Sequence, residues 1–357
     1  MINSRNSKAV GLFSGSLDSI LAFKLITEQR IAAVALNFKL PFPVIGRVPT
    51  DDQLQELAKL LNITLVSITA GDEYLELVRT PKFGYIRELA PCIDCMAYML
   101  RHAKTLMNEI HADFVFTGEV LGQRFISQSK RTMKLLEKTV GLEGKILRPL
   151  SAKILEPTIP ELTGLIRRER LLDFHGRNRR RQIRLAREFG IVDYPTPGAG
   201  CLLTDPNFAA RCQDAIDHGQ FQTIDEIQIL HYGRHFRLAS KAKVIAGRNE
   251  EENRTLESLA RSNDLIFQPV ETVGPVVILR TAKPTKKDME IAARICARYC
   301  DHNNGKPVKI AGSNDTRYSV KPFNDEELDE WRVNKTIIGK VARPNPDAKF
   351  IRKEASE

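Results

Sequence analysis

With 357 residues, 42% of them hydrophobic, and no low-complexity run, the chain has the composition of an ordinary globular protein and length enough for two domains. No apolar run reaches membrane-spanning length and the first residues carry no signal-peptide core, so a cytoplasmic protein with no membrane partner is expected. In that compartment the six cysteines are not expected to be structural disulfides, and the net charge of +10 points to a polyanionic partner, nucleic acid first.

Residues 9–23 read as a short buried strand, a Gly/Ser turn and an amphipathic helix. Such a unit aims backbone N–H groups and a helix N-terminus at one point, which suits an anion. Ser14, Ser16 and Ser19 add hydroxyls beside Gly15, and Asp18 adds a carboxylate able to hold Mg2+ beside phosphates. The Gly-Lys-Ser/Thr ending of a Walker loop is absent, so the expectation is a pyrophosphate cradle of another kind, or a βα turn with no ligand. Apolar runs at 31–38, 64–68, 113–119 and 145–150 are the next strands, with helices at 51–61 and about 95–110 between them. This alternation predicts an α/β fold built on a doubly wound parallel sheet. In such a sheet the turns ending strands one and four, at Ser14 and Gly118, are expected to face one crevice.

Residues 1–160 then form one domain. A basic helical connector, 161–205, follows and carries Cys201. From Thr163 to Gly190 it holds nine arginines against three acids, among them Arg179, Arg180, Arg181 and Arg184. The excess is arginine with little Glu at i,i+4, which favours contact with a phosphate backbone over a merely solvated face. Residues 206–323 read as a smaller α+β domain, with strands at 241–247, 265–270, 276–279 and 306–310 and helices at 249–260 and 285–300. Basic residues, Arg234 and Arg248 among them, punctuate it. Residues 324–357 are charged and expected to be peripheral.

Cys92-Ile93-Asp94-Cys95 precedes a helix, a position that lowers thiol pKa values. A redox dithiol, a zinc site completed by Cys201 and Cys212, and a three-cysteine cluster or catalytic site are all open readings. Cys201 stands in a Gly-rich turn, 196–201, that exposes its thiol. Cys212, Cys296 and Cys300 read as packing residues. Asp94 reads equally as a proton acceptor or a helix-start carboxylate.

Ser14-Gly15-Ser16-Leu17-Asp18-Ser19 resembles the PP-loop of ATP pyrophosphatases that adenylate a carbonyl oxygen, with Ser16 at the loop's second glycine. Thr117-Gly118-Glu119 and Gly122-Gln123-Arg124 resemble that family's second nucleotide-side loop. The resemblance implies ATP and Mg2+ as ligands, with Gly118 and Gln123 joining the first loop. A Cys-x-x-Cys before a helix plus a later lone cysteine is similar to the tRNA thiouridine synthases, the 2-thiouridylases and 4-thiouridine synthetases. That similarity implies Cys92, Cys95 and Cys201 as ligands of a [4Fe-4S] cluster whose fourth iron carries sulfide, or, in persulfide members, cysteines that carry and resolve the sulfur. It also implies tRNA as partner and a sulfur donor, either a cysteine desulfurase or free sulfide. Residues 233–238 and 246–253 are similar to the RNA-binding domain of the NFACT family, so the likeness spans roughly residues 8 to 320. Two other functions compete: another adenylating PP-loop reaction with an amine nucleophile, and an RNA-binding protein on a degenerate nucleotide fold.

Overall fold

The computed structural model describes residues 7–46, 48–195, 200–301, 305–313 and 315–334, which divide into two units parting after Thr204. In the first unit strands β1 (Lys8–Leu12), β2 (Ala32–Lys39), β3 (Thr64–Thr69), β4 (Phe114–Phe116) and β5 (Ile146–Leu147) pair in parallel. Between them run helices α1 (Leu17–Thr27), α2 (Asp51–Leu61), α3 (Glu73–Arg79), α4 (Cys92–Glu109) and α5 (Lys130–Val140). The short α6 (Ile159–Leu162) and the arginine-rich α7 (Arg180–Glu188) follow.

Side chains on the strands alternate between two cores. Ala9, Ala35, Phe114 and Phe116 pack with Ile20 and Phe23 of α1 and Ala186 of α7. Val10, Leu36, Val115 and Ile146 pack with Ile93, Ala97 and Leu100 of α4 and Leu136 of α5. A sheet covered on both faces needs apolar residues at consecutive positions, hence the unbroken runs in the sequence. The strand order is β3-β2-β1-β4-β5, so the winding reverses between β1 and β4. That reversal opens a crevice beyond the carboxyl ends of these two strands.

The described residues of 161–204 belong to the first unit. Ile166, Leu171, Phe174, Ala186 and Ile191 all enter its core, and α7 lies on α1 with Ile183 and Leu185 against the same cluster. The arginines hid this apolar stripe, because a short helix can be strongly basic on one side and still bury the other.

The second unit begins with α8 (Pro206–Asp217) and α9 (Ile224–Gln228). Strands β6 (Arg234–Arg237), β7 (Lys243–Ala246), β8 (Leu265–Pro269), β9 (Val277–Arg280), β10 (Val308–Gly312) and β11 (Arg317–Val320) form an antiparallel sheet in the order β11-β10-β8-β9-β7-β6. α10 (Glu250–Leu259), α11 (Lys286–Arg298) and α12 (Asp325–Asp329) complete it, with α11 packed across the sheet. Residues 324–334 close the core instead of trailing from it. Leu328 is fully buried beside Phe323, the Arg237 amide donates to the Trp331 carbonyl at 2.7 Å, and the Val333 amide donates to the His235 carbonyl at 2.9 Å.

His235, one of the basic residues in the sequence pattern, is 2% exposed and donates from Nε2 to the Tyr232 carbonyl at 2.7 Å. Burial, followed by the charge on Lys243, holds its pKa well below the ordinary histidine range. The folded state therefore binds fewer protons here than the unfolded chain. This contribution is constant above about pH 6.5 and falls as pH drops below it, by up to about 1.4 kcal/mol per pH unit. Urea unfolding of the full chain at pH 7.5 and 5.5 should show that loss, and His235→Gln should reduce it; an equal slope in the variant would assign the loss elsewhere.

Candidate active site

β1 ends into a turn whose geometry dictates its residues. Gly15 has φ +69°, and a Cβ there would stand 2.8 Å from Pro49 and Leu54 side-chain atoms. Ser16, at the N-cap of α1, has φ −71° and ψ 156°, an ordinary extended conformation, so a side chain at this second glycine position is unstrained. The exposed Ser14 hydroxyl donates to Ser16 Oγ at 2.9 Å, and Ser19 Oγ donates to the Ser16 carbonyl at 2.8 Å. The Ser16 side chain does not cap the helix, which leaves the first-turn amides to another acceptor.

The turn after β4 meets this one. A Cβ on Gly118 would lie 2.7 Å from the Ser19 amide nitrogen and 2.8 Å from the Asp18 carbonyl, all backbone atoms that cannot swing away. Gly118→Ala should therefore push the two turns apart, costing about 1–3 kcal/mol of stability. Thermal unfolding checks this, and a wild-type midpoint would show that the loops yield freely.

Asp18 is 8% exposed and is the hub of the crevice. Its Oδ2 accepts from Gln123 Nε2 at 2.8 Å and from an Arg179 terminal nitrogen at 2.7 Å. Its Oδ1, Gln123 Oε1 and Arg179 Nε are buried without a hydrogen-bond partner. Buried polar atoms are seldom left bare, so three in one cluster mark where something else binds. Beside them Glu119 is held by Arg148 at 3.2 Å, and Arg148 also grips Glu137 at 2.6 Å.

The sequence reading put Arg179 on the RNA side, but its guanidinium turns inward to Asp18. Arg181 pairs with Asp173 at 2.5 Å and lies over the Phe174 ring at 4.5 Å. Arg180 and Arg184 are exposed, with no acid partner among the described residues. In the second unit Arg234 donates to the Gly247 carbonyl at 3.0 Å and lies 4.3 Å over Tyr299, while Arg248 donates back to the Gly233 carbonyl at 2.8 Å. These two arginines clip the ends of β6 and β7 together.

Cys92 and Cys95 occupy the first turn of α4. Asp94 between them accepts from the Lys82 and Phe83 amides, each at 3.0 Å, so it anchors the incoming loop, and burial raises its pKa above the ordinary carboxylate range. Cys201 forms a bridge with Val44; the Ile45 amide donates to the Gly200 carbonyl at 2.8 Å and the Leu202 amide to the Pro43 carbonyl at 2.9 Å. Residues 196–199 of the expected Gly-rich turn lie outside the described residues.

All three thiols are free and half-buried. Burial pushes Cys92 up to about 11 and Cys95 up to about 12, and it raises Cys201 as well. The helix N-terminus does not make them thiolates, because desolvation of the charged sulfur outweighs it. Cys92 and Cys201 repel each other as thiolates, the Tyr74 hydroxyl donates to the Cys95 sulfur, and Arg124 favours the anion at all three. Tyr74, deep beside Phe42 and Tyr98, carried no sequence signal, since a core tyrosine looks the same. Among the described residues no group of three or more His, Cys, Asp or Glu is arranged to hold a metal ion. Cys212, Cys296 and Cys300 are buried in the second unit.

Residues 233–332 match the family model described as the NFACT protein RNA binding domain. No curated protein matches the chain. Among solved structures, a 4-thiouridine synthetase–RNA complex with bound ATP is similar over 41% of this chain and 37% of its own, at 23% identity and a TM-score of 0.34. The present chain thus spans little more than a third of that synthetase's length. The C-terminal part of the fibronectin/fibrinogen-binding protein of Streptococcus suis is similar over 79% of this chain and 98% of its own, at 12% identity and a TM-score of 0.26. A predicted tRNA methyltransferase subunit from Methanocaldococcus jannaschii is similar over 52% and 88%, at 16% identity and a TM-score of 0.27. With TM-scores this low, the fold assignment rests on the strand order and crossovers themselves.

Proposed function

We propose that the chain is an ATP-dependent tRNA sulfurtransferase that adenylates a uridine carbonyl oxygen and replaces it with sulfur. One observation carries the reading. Consecutive residues of the loop after β4 serve two chemistries: Gln123 bonds Asp18 in the crevice, and Arg124 is the cation felt by Cys92, Cys95 and Cys201. An anion cradle and three free thiols therefore adjoin within one unit.

Uracil O2 and O4 are amide-like and leave poorly. Transfer of AMP to the oxygen makes it a good leaving group, and pyrophosphate departs into the amides and hydroxyls of Ser14–Ser19. Asp18 would hold a Mg2+ ion, which would supply the charge that neutralises the phosphates. Hydrosulfide then attacks the ring carbon, the C–O bond breaks, and AMP leaves carrying the uracil oxygen while the sulfur's proton passes to solvent. A cysteine desulfurase would leave sulfane sulfur as a persulfide on one of the three thiols. A second thiol attacks the cysteine sulfur of that persulfide, forming a disulfide and releasing hydrosulfide, and an external thiol reductant restores the pair. Free sulfide is already hydrosulfide and needs no carrier. Arg180 and Arg184, with the NFACT-like domain, take the tRNA backbone.

The [4Fe-4S] cluster implied by the family resemblance would use the same three cysteines and leave one iron open to sulfide. As placed here the thiols are not gathered as metal ligands. Iron analysis of anaerobically purified protein decides it: about four irons per chain, lost in Cys201→Ser, supports the cluster, and colourless protein removes it. An amine nucleophile, as in the other adenylating reactions, would leave the three thiols without a task. Nucleoside mass spectrometry of tRNA from cells lacking the protein tests the function. Loss of a thiolated uridine is expected, and an unchanged nucleoside profile would reject the assignment.

A further inference from the structure

We infer that Arg179 belongs to the nucleotide site, where it pairs with Asp18 and exchanges that partner for the phosphate chain when Mg2+ and ATP bind. This rests on the reading of the crevice as an ATP site. Arg179 stands just before α7, and its side chain is 15% exposed against 11% for that of Asp18. The two hydrogen bonds in the cluster converge on a single carboxylate oxygen, Oδ2. The other oxygen, Oδ1, and Gln123 Oε1 are bare acceptors, while Arg179 Nε is a bare donor.

Two buried acceptors that no protein donor reaches suit a cation or its water, and one buried guanidinium N–H that no protein acceptor reaches suits an anion's oxygen. Mg2+ beside a phosphate presents both at once. A carboxylate bound to Mg2+ has less negative charge to offer a guanidinium, so the ion weakens the Asp18–Arg179 bond as it binds. The released fork then faces the incoming phosphates, where its planar set of donors is well matched. A purely structural ion pair would instead be expected to satisfy both partners, because bare atoms inside it are costly.

The two halves of the exchange move in opposite directions when Arg179 is removed, and that gives the test. In the full chain, calorimetric titration with Mg2+ alone should show Arg179→Gln binding about ten-fold tighter than wild type. Titration with inorganic pyrophosphate or ATP should show it binding about ten-fold weaker. Arg179→Lys keeps the charge and loses the fork, so it should lie between the two. Arg187→Gln, at an exposed position of α7, should leave all three titrations unchanged. Weakening of Mg2+ and pyrophosphate together would reduce Arg179 to a structural role, and tRNA binding lost in place of pyrophosphate would return it to the RNA surface. If wild type binds pyrophosphate and ATP but Arg179→Gln binds them equally well, the inference about Arg179 fails alone. If wild type binds neither, the nucleotide reading fails with it.

Discussion

Asp18→Asn is expected to abolish ATP–pyrophosphate exchange, by at least about 10²–10³-fold, the loss typical when a group opposing transition-state charge is removed from a water-poor site. Asparagine keeps the size of the side chain and can still accept from Gln123, so the fold should persist. It removes the carboxylate on which Gln123 and Arg179 converge. tRNA affinity should hold, because the exposed basic residues Arg180 and Arg184 do not depend on this contact. Exchange assays with filter binding of tRNA check both halves. Full exchange in the variant would move the metal and phosphate site away from β1.

Cys201→Ser is expected to give the opposite profile. Thiouridine formation should fall about 10³-fold or more while adenylation survives, because in the proposed mechanism the thiols serve the second half of the reaction only. Serine fits the space of cysteine, and Cys201 is positioned by backbone bonds of Gly200 and Leu202 to the segment after β2, none of which the substitution touches. Cys92→Ser combined with Cys201→Ser should be little worse than either alone, since groups acting as one unit lose their function together. Single-turnover assays separate AMP formation from thiolation. Thiolation at wild-type rate in Cys201→Ser would remove that thiol from the mechanism.

Much of this was legible in the sequence. The parallel sheet follows from apolar runs buried on both faces, and the two Gly-containing turns sit where β1 and β4 end. What the sequence hid was direction. Arg179 reads like its neighbours Arg180 and Arg181, because a run of one residue type does not show which side chain turns inward to a carboxylate 161 positions away. Local rules likewise favoured reactive thiolates at the start of α4, whereas tertiary burial raises Cys92 and Cys95 instead. In the second unit, β6 brackets buried His235 and Phe236 between Arg234 and Arg237, which reads as basic decoration until the sheet forms around it. The segment at 324–334 looks solvated for the same reason: its few apolar anchors, Leu328 and Val333, are diluted by charge.

The most direct test follows the uracil oxygen itself. Unmodified tRNA carrying heavy oxygen at the uridine carbonyls is incubated with the purified chain, ATP, Mg2+ and sulfide, and both nucleotide and nucleoside products are weighed. The account predicts that each thiouridine formed is matched by one AMP carrying the heavy oxygen, with pyrophosphate as the other product. AMP without the label, or ATP left intact while tRNA binds normally, would contradict it.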